Sequence, residues 1–283
     1  KSIFFRIIKY LGIKFLRRFF FKIDSAQYFY KTLIPKAREI IIKNKINNII
    51  VSGPPHSLLY HAAVIKNENP LLNLILDYRD SWNDESNYEF IKSLNSYSYK
   101  MKSIHMENLA ISSADWVLFV TQNMKERTTR IHKHFVKKFL TFHNFYDLED
   151  YNFQKISSPK SNDVVYIGTL GSSRRKALDL IAQAINDILK KNKTFNTIFH
   201  FYTNESIILF RNSPYYKIIK KYFIFHSTVQ VQQVGKELNK YSICLSINAP
   251  NYSHAFGTKI FDYMALKKHI FHISNGGGLY DLL

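Results

Sequence analysis

The strongest constraint on the fold is an alternation. Short apolar or β-branched runs are each followed by a small polar loop, and most of these lead into a segment with apolar residues at helical spacing. The runs fall at residues 48–52, 71–76, 114–120, 139–142, 164–167, 197–202, 223–225, 243–247 and 269–273. Helical patterns occupy 58–66, 88–112, 122–131, 178–190 and 229–240, with 207–221 helical or irregular around Pro214. A further one at 26–44 precedes the first run, with Pro35 expected to kink or break it. Runs this short read as buried strands, and strands alternating with helices build parallel sheets that bind ligands at their carboxyl ends. The polar stretch 146–160 interrupts the pattern. The expected division is therefore a first domain at 1–150, a linker at 151–162 and a second domain at 163–283, two parallel-sheet domains facing each other.

The 283 residues suit two domains of ordinary size, and a hydrophobic share of 46% provides a core for each. Forty Lys and Arg against 21 Asp and Glu leave a net charge of +19, which implies an anionic partner: nucleic acid, anionic lipid or a phosphorylated substrate. The single cysteine, Cys244, lies in an apolar run and is expected as a buried core thiol, so a disulfide framework is excluded. No run has the eighteen or so apolar residues of a membrane-spanning helix. Residues 1–23 are dense in both Phe, Ile, Leu and Lys, Arg, with no acid before Asp24. That is the pattern of a helix lying on an anionic membrane surface; a buried helix whose lysines reach out to water has the same pattern. The chain opens on Lys1 and stops at Leu283 just after a helix start, so a fragment cut at both ends is expected.

The chemistry-bearing residues cluster in loops at strand ends. Gly-Pro-Pro-His-Ser at 53–57 puts His56 and Ser57 at the end of the first run, and 77–82 puts Arg79 and Asp80 at the end of the second. Arg79 and Asp80 also suit a plain ion pair fixing the loop. The stretch 168–176 combines Gly168, Thr169, Arg174, Arg175 and Lys176, a phosphate grip of free N–H groups and guanidinium forks. It matches neither the Walker A nor the dinucleotide pattern. At 253–262, Thr258 is expected to cap a helix carrying Lys259 and Asp262, with Lys267 and Lys268 in its last turn. Gly276 to Gly278 allow close approach of the backbone to a ligand. His132, His134 and His143 lack carboxylate or cysteine partners at metal-site spacing and are expected at the surface or in loops.

Taken together, these blocks resemble the group 1 (family four) glycosyltransferases of the GT-B type, built from two Rossmann-like domains. SGPPHS at 52–57, LDYRDSW at 76–82 and ADWVLFVT at 114–121 are similar to blocks of that family's acceptor domain. YIGTLG at 166–171, FGTKIFDYMALKK at 256–268 and GGGLYDLL at 276–283 are similar to its donor domain. The match runs in family order from about residue 40 to the end. The resemblance implies an α/β fold with two parallel-sheet domains across a cleft, the first of them incomplete. It implies a transferase moving a hexosyl or N-acetylhexosaminyl group from a nucleotide sugar, UDP-linked in our expectation, with retention and with neither metal nor cofactor. Asp262 matches the acid that holds the nucleotide ribose. His254 stands where the family has its first acid, a departure that bears on sugar identity and turnover. Phe256, Gly257 and Thr258 match the segment near the sugar and diphosphate. Thr169 stands where an arginine is common, with Arg174, Arg175 or Lys176 in the lysine's role. Arg79 replaces a common histidine beside Asp80, the group assigned to positioning the acceptor. The implied partners are a nucleotide-sugar donor, a lipid-linked or saccharide acceptor and an anionic membrane. The implied setting is the cytoplasmic face of a bacterial membrane, in synthesis of surface polysaccharide such as O-antigen or capsule.

Three other classes compete with this reading. A nucleic-acid-binding protein accounts for the charge, but no RRM, KH or zinc pattern is present and the cations are spread along the chain. A membrane-bound member of the same fold without turnover is argued by His254. A Rossmann oxidoreductase is opposed by the lack of GxGxxG after any strand.

Overall fold

The computed structural model describes residues 23–84, 97–147, 149, 161–191, 193–248, 255 and 257–279. The chain forms two compact units, Lys1–His143 and Asn144–Leu283. The basic segment 1–23 lies outside the described residues except for Ile23, as does the expected linker except for Ser161 and Asn162, which open a strand.

In the first unit, β1 (Asn48–Gly53), β2 (Asn73–Tyr78), β3 (Trp116–Phe119) and β4 (Phe139–Thr141) form one parallel sheet in that order. The helices are α1 (Tyr30–Asn44), α2 (Ser57–Glu68), α3 (Tyr97–Ser113) and α4 (Gln122–Ile131). The period of two decides which side chains face the helices: Leu74, Leu76 and Tyr78 of β2 are buried, as are Val117 and Phe119 of β3. Helix α1 continues through Pro35 rather than breaking there. Its Ile34, Ala37 and Ile41 pack with Ile65 and Leu72, and that burial offsets the hydrogen bond the proline lacks. Thr121 caps α4 as its position suggests, its hydroxyl accepting from the Met124 N–H at 3.1 Å.

In the second unit, β5 (Ser161–Ile167), β6 (Phe199–Tyr202), β7 (Phe223–His226), β8 (Tyr241–Ile247) and β9 (His269–Ile273) form a parallel sheet in the order β7-β6-β5-β8-β9. Around it lie α5 (Gly171–Lys190), α6 (Tyr216–Tyr222), α7 (Val234–Leu238) and α8 (Lys259–Ala265). Alternate residues of β5 serve different cores. Val164 and Tyr166 join Leu178, Ile181, Phe201 and Ile219 on one side. Val165 and Ile167 join Leu238, Ile260, Phe261 and Cys244 on the other. Cys244 is fully buried, which pushes its thiol up to about 12.

Two local expectations change. Helix α5 starts at Gly171, so Arg174, Arg175 and Lys176 ride its opening turns instead of a loop. Arginine and lysine are good helix formers, and the buried stripe Ala177, Leu178, Ile181, Ala182 and Ile185 fixes the rest. Helix α8 is short, seven residues. Thr258 has helical dihedrals already, so its hydroxyl makes no capping bond. Lys267 is left-handed (φ 52°) and the Lys268 N–H donates to the Tyr263 carbonyl at 2.9 Å, so both lysines lie past the helix end.

Candidate functional site

In the second unit the functional residues gather where β5 and β8 end. The Gly168 N–H donates to the Tyr202 carbonyl at 2.9 Å, which fixes the exit from β5 against β6. Gly168 has φ of 141°, and a Cβ there would lie 2.3 Å from the Lys259 Nζ. The missing side chain is therefore the space Lys259 occupies. Lys259 reaches over from the start of α8, its Nζ 5.9 Å from the centre of the Tyr166 ring. The Tyr166 hydroxyl donates to the Thr169 carbonyl at 2.8 Å. Arg174 binds the same carbonyl through Nη1 at 3.2 Å and the Ile247 carbonyl at the end of β8 through Nε at 3.1 Å. One guanidinium thus ties both strand ends together.

The electrostatics follow from this packing. Burial lowers the Lys259 ammonium, the Arg174 charge lowers it further, and Asp262 one turn along acts the other way. Carbonyls satisfy the hydrogen bonds of Arg174 without cancelling its charge. Two half-buried cations held together favour an anion beside them, because each makes the other's charge costlier. The neighbouring bases do not share the place. Arg175 is paired with Glu205 at 3.3 Å, and Lys176 is exposed. Gly257 and Thr258 are exposed before α8, and Asp262 is half-buried. The loop between β8 and α8 is anchored by Asn248, whose Nδ2 donates to the Ala255 carbonyl at 2.8 Å. His254 and Phe256 lie outside the described residues.

In the first unit, His56 and Ser57 follow β1 and both are buried. Asp24 takes up the start of α2, accepting from the Ser57 N–H at 2.8 Å and the Ser57 hydroxyl at 2.5 Å. His56 stacks on Trp82 (5.4 Å between ring centres) and its Nε2 meets the Asp80 carbonyl at 3.1 Å. Burial lowers the His56 imidazole. Arg79 and Asp80 are exposed at the end of β2, and the Arg79 N–H donates to the Gly53 carbonyl at 2.9 Å. Burial of its carboxyl raises Asp80, with His56 and Arg79 acting the other way, although the residue as a whole remains exposed.

Beneath this loop lies a network that sequence reasoning missed. Glu107 of α3 is buried and accepts from Asn83 Nδ2 at 2.9 Å, and the Tyr78 hydroxyl lies 3.4 Å away. His132 Nε2 stands 3.3 Å from the same carboxylate, and this histidine, expected at the surface or in a loop, follows α4 outside any helix or strand but is buried. The Trp82 indole donates to Ser103 Oγ at 3.0 Å, and Ser103 donates to Asn83 at 2.8 Å. These partners lie twenty to thirty residues apart in sequence, so no local pattern announces them. Tyr166 and the position of Lys259 over Gly168 were missed for the same reason.

No family model and no curated protein matches the chain by sequence. Solved structures match its fold. The sucrose-phosphate synthase of Thermosynechococcus elongatus aligns at TM-score 0.56 and 12% identity, over 90% of this chain and 62% of its own. Anabaena Alr3699/HepE, solved in complex with UDP and glucose, aligns at 0.55 and 13%, over 87% and 64%. The Escherichia coli structure described as trehalose-6-phosphate bound with UDP-2-fluoro glucose aligns at 0.59 and 9%, over 89% and 64%. The chain spans under two thirds of the length of these structures. At such identities the likeness shows the fold: α/β, two Rossmann-like parallel-sheet domains of the GT-B type.

Proposed function

We propose that the chain is a glycosyltransferase that takes a sugar from a UDP-linked donor held by its second unit. The observation that carries this reading is the convergence of Arg174 and Lys259 on the turn after β5, with Asp262 close by. In this reading the two cations hold the diphosphate and stabilise the charge that grows on it as the bond to the sugar breaks. Asp262 accepts from the nucleotide ribose. UDP is the favoured base because two of the neighbours were solved with UDP or a UDP sugar.

The finer reading rests on the resemblance in the sequence. Transfer proceeds with retention and without a metal, with a hexosyl or N-acetylhexosaminyl group moved. Asp80 and Arg79 position the acceptor, which is lipid-linked or a saccharide in bacterial surface polysaccharide synthesis. The protein works on the inner face of the cell membrane, with residues 1–23 as an anchor. Among the described residues no helix is long and apolar enough to cross a membrane.

The test is a thermal-shift series with UDP, GDP, ADP and a duplex DNA control. A shift with UDP that is lost in Asp262→Ala and in Arg174→Ala supports the donor site. A folded protein that no nucleoside diphosphate stabilises overturns it, and a shift with DNA alone moves the reading to nucleic acid.

A further inference from the structure

The second unit carries a surface that the donor reading does not use. From Ser206 to Lys236 the sequence has no Asp or Glu and five cations: Arg211, Lys217, Lys220, Lys221 and Lys236. This stretch contains the short 3-10 turn Ile207–Phe210 and helix α6, which pack against each other. Phe210, Ile219 and Tyr222 are buried in the core and hold both in place. The residues facing outward are then set by geometry. In α6, positions 217, 220 and 221 follow the i, i+3, i+4 rule, so three lysines share the face opposite Ile219, and all three are exposed. On the turn, Ile208 is 55% exposed and Leu209 is 46% exposed, and the exposed Arg211 follows directly.

An adjacent pair of exposed aliphatic side chains takes its meaning from what surrounds it, and here cations do. The cations outnumber the acids at hand: Asp179, which accepts from Ser213 at 2.5 Å, keeps its charge, while Glu205 is paired with Arg175. Two aliphatic tips beside four exposed cations fit one partner: a membrane surface rich in anionic lipid. The headgroups meet the cations while Ile208 and Leu209 enter the acyl boundary. A nucleic acid has phosphates for the lysines but nothing for the aliphatic pair.

We propose that the 3-10 turn Ile207–Phe210 and helix α6 form a docking surface for anionic membrane, separate from residues 1–23. The inference stands independently of the donor reading, because it uses none of the residues at the end of β5.

The experiment is co-sedimentation of the full chain with vesicles of phosphatidylcholine alone and of equimolar phosphatidylcholine and phosphatidylglycerol, at low and high salt. Each surface cation contributes roughly five-fold in partitioning to an anionic membrane. The triple variant Lys217→Ala, Lys220→Ala, Lys221→Ala is expected to lower binding on the order of a hundred-fold. Ile208→Asn with Leu209→Asn is expected to lower it without changing the salt dependence. Leu209→Trp is expected to give an emission blue shift with the anionic vesicles alone. All positions are exposed, and unchanged melting of each variant verifies the fold. Three results overturn the proposal: no binding of the parent chain to anionic vesicles, binding by both multiple variants equal to the parent, or loss of DNA binding in the lysine variant with vesicle binding intact. The UDP shift is read separately, so failure of one reading leaves the other standing.

Discussion

The two units use one plan of alternating strand and helix but put their polar groups in opposite places. In the second unit the interior is apolar on both sides of the sheet, with aromatic pairs such as Phe199–Phe223 and Phe201–Phe225. The cations of its candidate site, Arg174 and Lys259, stand at the rim, on the turn after β5. In the first unit the charge is inside: Glu107, His132, Asn83, Ser103 and Tyr78 meet beneath the loop that presents Arg79 and Asp80. The outer face of that sheet leaves Ile50 at 65%, Trp116 at 46% and Leu140 at 44% exposed. A rim where two half-buried cations gather suits a site that awaits an anion. A buried polar network suits a loop that must hold its shape with little apolar bulk beneath it. The contrast predicts different failures in each unit.

The largest effect is expected at Glu107. Glu107→Ala leaves the buried Asn83 amide and Tyr78 hydroxyl without their acceptor and costs the first unit about 3 kcal/mol, in the range for buried donors left unsatisfied. Glu107→Gln keeps part of the hydrogen bonding and costs about half as much. The two tryptophans, Trp82 and Trp116, both belong to the first unit, so urea unfolding followed by selectively excited tryptophan fluorescence reads that unit. If the alanine variant unfolds with the parent's midpoint, the network is not what holds this loop.

Next comes the rim of the second unit. Arg174→Ala is expected to weaken UDP about thirty-fold, the loss of a charge-assisted bond of about 2 kcal/mol. Lys259→Ala is expected to cost on the order of ten-fold, and Arg175→Ala, whose charge is already spent on Glu205, much less. Titration calorimetry gives the order. Equal losses at Arg174 and Arg175 would refute the assignment of the rim. Gly168→Ala adds backbone strain of about 1 kcal/mol and pushes Lys259 aside, so it should weaken UDP to the same degree as Lys259→Ala. Fluorescence-detected unfolding of the first unit should be unchanged in all four variants.

Periodicity placed the strands because each is a local apolar run. All nine expected runs are strands, with bounds shifted by up to three residues at their ends. The loops were legible too, because small and charged residues punctuate the apolar pattern. What escaped is what depends on distance in the chain. Lys259 fills the space left by Gly168, ninety-one positions earlier, and Asp24 closes the start of α2 at Ser57. Helix α5 begins earlier than its apolar stripe, because Arg174 and Arg175 carry helix propensity without contributing to the stripe. Buried polar partners carry no period at all, so nothing in the sequence pairs Glu107 with His132 until the fold joins them.

The smallest effect concerns protons, and it tests whether the comparison extends to acid. Burial is the leading cause holding three histidines below their ordinary 6.5: His56 in the first unit, His226 and His272 in the second. A histidine kept neutral in the fold takes up its proton more readily when unfolded. Stability from these groups is therefore complete above about pH 6.5 and is lost as pH falls through the lower folded values. His226 shares a 2.9 Å hydrogen bond with His200, whose charge opposes its own, and Glu237 acts the other way. Its ring stacks on Tyr202 at 4.4 Å, with Lys240 adding a further opposing charge. With two such histidines against one, the second unit should loosen first as pH falls below about 6.5. Hydrogen exchange at β6 and β7 would rise over that range while the fluorescence transition of the first unit moves less. His226→Gln, which cannot be protonated, should flatten the response of the second unit. An unchanged slope in that variant would assign the acid response to other groups and remove this difference between the units.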